Sequence, residues 1–253
     1  MATVADILTF LDTLAPRSLK MEWDNVGLLC GSKSTAVTKI LVALDPFERV
    51  CREAADIGAE LIVTHHPLIF QPARSITDET SIGRSIQLLC RQGISAINAH
   101  TNLDMAPGGV NDVLAEKLGL QNIEPSEGGL LRRGEVSEQS LETFLATVKD
   151  SLGCQGLRYV DSGKSVCKVA VGGGSCASEM MEALSAGCDT FVTADIKYNQ
   201  FWDARDLGLN LIDAGHFHTE NPIVAVLAEK LQAAFPEIQV KISETHRDCM
   251  NFY

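Results

Sequence analysis

The sequence is poor in the features that would set it apart from ordinary globular proteins. It has no low-complexity tract, no heptad run and no long linker, and no apolar stretch approaches the roughly 18 residues of a membrane-spanning helix. Basic residues are scarce: 21 Lys and Arg stand against 33 Asp and Glu, a net charge of −12. That deficit argues against tight non-specific nucleic-acid binding, which needs Lys and Arg on phosphates. It suits the attraction of metal cations. Eight cysteines are present, yet no two form a C-x-x-C pair and their spacings fit no usual zinc pattern. Several sit in apolar settings ("GLLC", "QLLC"), as buried, reduced thiols of a cytoplasmic protein would. The opening "MATVADILTFLDTLAP" lacks the basic start of a signal peptide and carries Asp6 and Asp12. Val4, Ile7, Leu8, Leu11 and Leu14 fall instead at helical spacing, ahead of Pro16.

What is present is an alternation. Of the 253 residues 45% are apolar and 21% charged, the proportions of a globular chain with a sizeable core. "KILVALD" (39–45), "AELIVTHH" (59–66) and "ISAINAH" (94–100) read as strands separated by helices at "PFERVCREAADIG" and "SIGRSIQLLCRQG". Helices at 108–119 and 138–152 follow, then strands at "LRYVD", 166–171, 189–195 and 209–216, with helices near 176–186 and 198–206 between the last three. A last helix starts near Pro222, and a final strand covers 237–243. The βαβ rhythm predicts an α/β fold with parallel sheet. The polar, glycine-rich stretch 121–135 reads as a boundary between an N-terminal lobe, 1–126, and a C-terminal lobe, 127–253.

The two lobes read as a pseudo-repeat. Gly58 falls on Gly187, Glu60 on Asp189, Val63 on Val192 and Thr64 on Thr193, all at one spacing. One extra residue brings His100 onto His216 and Asp104 onto Glu220, so both halves show H-x-x-x-D/E just past a strand. Ligands of an open parallel sheet bind beyond the carboxyl ends of its strands. Asp45, His65, His66, His100, Asp104, Asp195, His216, His218 and Glu220 collect there, leaving His246 apart among the six histidines. Adjacent strand residues face opposite ways, so His65 and His66 share a site only where the strand stops, and Pro67 supplies that stop. Three histidines and two carboxylates would serve one tetrahedral ion, or two ions with a bridging carboxylate and waters. A nitrogen and oxygen set without thiolate suits zinc, iron, manganese, cobalt or nickel.

"VTHHPLIF", "NAHTNLD" and "GHFHTE", with "MEWDNVGLLCG" (21–31) and "VAVGGGS" (169–175), resemble the motifs of the GTP cyclohydrolase I type 2 homologue family, the NIF-three-like dinuclear metal proteins, in its short form. The resemblance implies two interlocked α/β lobes with the metal site between them at the strand ends. It implies His65, His66, Asp104, His216 and Glu220 as ligands of two divalent ions (zinc, iron or manganese), and a ring-shaped homohexamer. It also implies hydrolysis of a small-molecule substrate, a nucleotide among the candidates, by attack on the guanine ring of GTP with release of formate. His100 and His218 remain as groups that orient ligands, move protons or simply pack nearby. Asp45 and Asp195 orient a ligand or cap a strand. "GGGS" (172–175) is neither of the standard nucleotide loops; it holds an anion on its N–H groups or is a tight turn. Trp23 stacks on a substrate base or fills the core beside an Asp-Asn turn. Two other roles fit the same ligands or ring: a non-catalytic metal-binding protein (metallochaperone or regulator), and a DNA-encircling protein, which the net charge opposes.

Overall fold

The computed structural model describes residues 1–253. The first helix, α1 (Val4–Leu14), buries Val4, Ile7, Leu8 and Leu11, the stripe its spacing predicts. Thr3 caps it: its hydroxyl accepts from the Asp6 N–H while the Asp6 carboxylate accepts from the Thr3 N–H. β1 (Gly27–Cys30) and β2 (Lys39–Ala43) follow, then α2 (Glu48–Asp56), β3 (Leu61–Thr64), α3 (Ser81–Gln92), β4 (Ser95–Asn98) and the one-turn α4 (Thr101–Met105). β3 and β4 are buried along their whole length; β3 therefore reads as a continuous apolar run, while β4 also buries the polar Ser95 and Asn98. Gly93 closes α3 in the left-handed conformation that glycine adopts without strain.

The chain continues through α5 (Val110–Lys117), β5 (Gln121–Pro125), β6 (Arg132–Gln139), α6 (Leu141–Leu152), β7 (Arg158–Val160), β8 (Val166–Val171), α7 (Met180–Ser185), β9 (Thr190–Thr193), α8 (Tyr198–Leu207), β10 (Asn210–Asp213), the one-turn α9 (His216–Glu220), α10 (Pro222–Ala234) and β11 (Gln239–Ile242). Two sheets result, with strand orders β1-β4-β3-β2-β11 and β5-β6-β8-β9-β10-β7. Each is centred on three neighbouring parallel strands, β2-β3-β4 and β8-β9-β10, the counterpart of the repeat seen in the sequence. Both sheets are mixed, because β1, β6 and β7 join antiparallel. The first packs Leu41, Ile62 and Ala96 against Val50, Ala54, Ile86 and Leu89 of its helices. The second packs Val169, Val171, Val192 and Ile212 against Phe144 and Val148 on one face, and Ala170, Phe191 and Leu211 against Met180 and Ala204 on the other.

Two compact units divide the chain, one of residues 1–106 and 223–247, the other of 107–222 and 248–253. This differs from the lobes 1–126 and 127–253 read from the sequence. β11 pairs in parallel with β2, Gln239 beside Lys39 through Ile242 beside Val42, so the end of the chain completes the first sheet. The stretch 121–135, read as the boundary, is itself structured. It forms most of the antiparallel pair β5–β6, whose half-exposed, charged surface, with Glu124 and Arg133 paired at 2.9 Å, lacks the apolar alternation that reveals a strand. No helix is long and apolar enough to cross a membrane.

The thiols divide by burial. Cys51, Cys154 and Cys188 are buried, and burial pushes each thiol up to about 11. Cys90 and Cys249 are exposed. Titration of the native protein with a thiol-reactive disulfide at pH 8 is therefore expected to label Cys90 and Cys249 within minutes, and the three buried thiols only after denaturant is added. Rapid labelling of Cys51 without denaturant would contradict the packing of α2 on its sheet.

Candidate metal centre

In the first unit β3 ends at Thr64, whose hydroxyl donates to the His66 carbonyl at 2.7 Å and turns the chain as Pro67 follows. The two imidazoles then stand side by side, ring centres 4.8 Å apart and tilted by 49°. His65 is fully buried. Its Nδ1 lies 3.0 Å from the Ala99 carbonyl, which can only accept, so Nδ1 carries the proton and Nε2 is the nitrogen with ligand character. Nε2 lies 3.6 Å from Asp104 Oδ1. His66 Nδ1 donates to Asp45 Oδ1 at 2.8 Å, and His100 Nδ1 donates to Asp24 Oδ1 at 2.8 Å. One ring nitrogen from each of His65, His66 and His100 lies within 4.8 Å of the others.

Both supporting carboxylates are locked. Burial raises the Asp24 carboxyl, but donors from His100 and from the Thr101 hydroxyl and N–H outweigh it and hold the group well below the carboxylate range. Asp45 is likewise raised by burial and lowered further by His246 and His66. His246 Nε2 donates to Asp45 Oδ2 at 2.8 Å, and Phe47 stacks on its ring with centres 5.8 Å apart. The segment bearing His246 is clamped by Glu53, whose carboxylate accepts from Ser243, Glu244 and Thr245.

In the second unit the same logic recurs with other parts. His216 opens α9 and Glu220 closes it, four residues on and therefore on one face; His216 Nε2 and Glu220 Oε2 are 3.0 Å apart. Asp195 accepts from His216 Nδ1 at 2.7 Å and does so from a left-handed backbone, φ 53°. Gly174 faces this pair. A Cβ built there would lie 2.1 Å from Glu220 Oε1 and 3.0 Å from His216 Nε2, so only glycine lets the turn approach so closely. The N–H groups of Gly172, Gly173 and Gly174 are taken by Val192 O, Asn111 Oδ1 and Thr219 Oγ1, which makes "GGGS" a tight turn rather than an anion cradle. His218 has Nδ1 on the Leu152 carbonyl and Nε2 3.2 Å from Asp248 Oδ2.

The structure thus brings His65, His66, His100 and Asp104 together in one unit, and His216 with Glu220 in the other. Asp45 and Asp195 hold the Nδ1 atoms of His66 and His216, the arrangement by which a carboxylate orients an imidazole. Trp23 is not a core residue: it is 63% exposed. Sequence reasoning missed Asp24, His246 and Asp248. Asp24 lies 76 positions from His100 with no periodicity to link them. His246 is found only through the β11–β2 register, which carries the residues after Ile242 to the strand end where Asp45 sits.

Asp24 and Asp45 titrate below their unfolded value of 3.8, so their stabilisation is complete above about pH 5 and drains away as the pH falls below about 4. Asp24→Asn is expected to lower stability at pH 7 by about 1–3 kcal/mol and to flatten the acid limb of stability against pH, measured by urea unfolding. An acid limb as steep as wild type would show that Asp24 contributes none of it. Gly174→Ala should cost on the order of 1–3 kcal/mol from backbone strain and drive the Glu220 carboxylate aside; a melting temperature unchanged from wild type would refute the close approach.

The chain is similar to known proteins along nearly its whole length. The family model described as Duf34/NIF3 (NGG1p interacting factor 3) matches residues 2–249. A Clostridium perfringens protein named GTP cyclohydrolase 1 type 2 homolog is 37% identical over 257 residues, covering 98% of each chain. A Helicobacter pylori protein named GTP cyclohydrolase 1 type 2 is 32% identical over 233 residues, covering 92% of this chain and 93% of its own. Among solved structures, a Bacillus cereus protein related to NIF3 superposes with a TM-score of 0.93 at 26% identity over 100% of this chain and 99% of its own. Reduced HcgD from Methanocaldococcus jannaschii does so with a TM-score of 0.84 at 31% identity over 96% and 98%. The chain belongs to the Duf34/NIF3 family.

Proposed function

We propose that this chain is a divalent-metal-dependent hydrolase of the GTP cyclohydrolase I type 2 kind, acting on the heterocyclic ring of a nucleotide, with His65, His66, Asp104, His216 and Glu220 as metal ligands. The observation that carries the reading is the cluster of three imidazoles at the end of β3 and β4, with carboxylates locked onto the Nδ1 atoms of His66 and His100. The residues fit a divalent cation. The donors are imidazole nitrogen and carboxylate oxygen, His65 is held as the tautomer that offers Nε2, and the glycine turn at Gly174 leaves Glu220 and His216 the room a side chain would take. When bound, two such cations (zinc, iron or manganese) supply an acidified water and polarise the substrate.

The remaining work belongs to the chain. Asp45 and Asp195 keep His66 and His216 aimed through their Nδ1 atoms and raise their basicity as ligands. His100, anchored at Nδ1 by Asp24, presents Nε2 beside His65 and His66 and takes and returns the proton there. His218 serves as the second proton-moving group. The substrate assignment rests on the names of relatives, one of them GTP cyclohydrolase 1 type 2 without qualification. A cytoplasmic location and a ring-shaped homohexamer belong to the same reading, carried by family resemblance.

A non-catalytic metal carrier or regulator shares the ligand set, and one observation favours it: both ring nitrogens of His218 already face acceptors, Leu152 O and Asp248 Oδ2. Metal content of tag-free protein by mass spectrometry separates the cases, together with formate release from GTP. About two ions per chain, lost in a His65→Ala, Glu220→Ala double variant, with GTP-dependent formate, is the expected result. Metal without turnover of any nucleotide would leave the carrier. Metal content untouched by the double variant would remove both readings.

A further inference from the structure

Trp23 and Phe70 are large apolar residues that are nonetheless exposed, at 63% and 45%. Their rings meet edge to face, centres 5.8 Å apart at 77°, forming an open right-angled corner. That corner adjoins the histidine cluster: Trp23 lies 6.3 Å and Phe70 6.1 Å from the ring of His100, which itself lies 5.2 and 5.4 Å from His65 and His66.

The turn carrying Trp23 is fastened on every side. Asp24 is buried and accepts from His100, the Thr101 N–H and the Thr101 hydroxyl. The Asn25 side chain donates to the Ile69 carbonyl at 2.6 Å, next to Phe70, and the Asn25 carbonyl accepts from Asn98 at 3.1 Å. Lys20 Nζ donates to the carbonyls of Met21 and Asp24. Seven polar contacts thus hold in place an indole that buries little of itself. The other tryptophan, Trp202, is half exposed too, but the Arg205 guanidinium covers its ring at 5.7 Å. Trp23 has only its aromatic partners at its edge.

We propose that Trp23 and Phe70 form a preorganised stacking corner for the planar heteroaromatic ring of the substrate, a purine base in the reading above, on which this inference rests. A flat ring laid against the indole meets the phenyl ring at its edge and directs its far side toward His100. Because the Asp24 and Asn25 contacts already fix the turn, little ordering entropy is lost when a base arrives. Stacking of this sort accepts any base with a π-face, so the corner selects for aromaticity and shape rather than for one hydrogen-bond pattern.

The test is calorimetric titration of guanosine, and separately of ribose 5-phosphate, into full-length chelator-stripped and zinc-reconstituted protein. Wild type, Trp23→Ala, Trp23→Phe and Phe70→Ala would be compared, with metal content and sedimentation measured on each. Guanosine is expected to bind wild type and ribose 5-phosphate not. Trp23→Ala should weaken guanosine about 5- to 100-fold, Trp23→Phe only a few-fold, and all variants should hold the same metal. Guanosine that fails to bind wild type, or binds Trp23→Ala and Phe70→Ala as tightly as wild type, overturns the corner. So does a Trp23→Ala variant that dissociates an oligomer while guanosine binding is unchanged, since the rings would then meet a second copy of the chain. A wild type that binds guanosine through Trp23 but no metal would sink the hydrolase and leave the corner standing; metal and turnover with unaltered guanosine binding in the variants would do the reverse.

Discussion

The hydrogen bond from an imidazole Nδ1 to a carboxylate is the interaction on which the candidate site depends. It occurs three times, at Asp45 with His66, Asp24 with His100 and Asp195 with His216. Each bond fixes which nitrogen carries the proton and which way the ring points, and so decides which atom is offered as ligand or base. His65 reaches the same state by a different acceptor, the Ala99 carbonyl. An isolated carboxylate would lose charge on burial. Asp24 and Asp45 stay ionised because each receives several donors, and that requirement recruits Thr101 and His246 into the site's support.

The fold supplies the anchor points. Parallel strands deliver consecutive loops to one edge of the sheet, so Leu44–Asp45 after β2, His65–His66 after β3 and Ala99–His100 after β4 are neighbours without any local interaction between them. The second sheet repeats this with Asp195 after β9 and His216 after β10. The repeat is not copied in detail. His216 sits inside its helical turn and reaches Glu220 at i+4, whereas His100 caps its turn and swings to Asp24, leaving His65 as the imidazole nearest Asp104. A sequence alignment of the halves pairs His100 with His216, but the rings do different work because one lies before the first helical residue and the other is that residue.

Support and approach are provided by separate pieces of chain. The strap 243–247, held by Glu53, brings His246 to Asp45 from behind. The turn 21–25, held by Thr101 and Ile69, brings Trp23 and Phe70 to the front of His100. Both segments are short, irregular and densely hydrogen-bonded, the usual way a loop is made rigid enough to place a functional side chain.

Much of this was legible in the residues alone. Short apolar-rich segments between helical stripes marked the central strands, and the doubled histidine ahead of Pro67 marked the candidate site, because both signals are local: burial on two faces favours apolar residues at successive positions, and a proline ends a ladder wherever it falls. The half-exposed pair β5–β6 escaped notice since charge on an edge strand erases the alternation that periodicity detects. The boundary of the units and the roles of Asp24 and His246 could come only from the tertiary structure. Each depends on pairing between residues far apart in the chain, β11 beside β2 or Asp24 beside His100, and such partners are chosen by register and packing, which leave no spacing in the sequence to read. Whether Trp23 was buried or presented was decided in the same way: its chemistry permits either, and the buried carboxylate beside it holds it out.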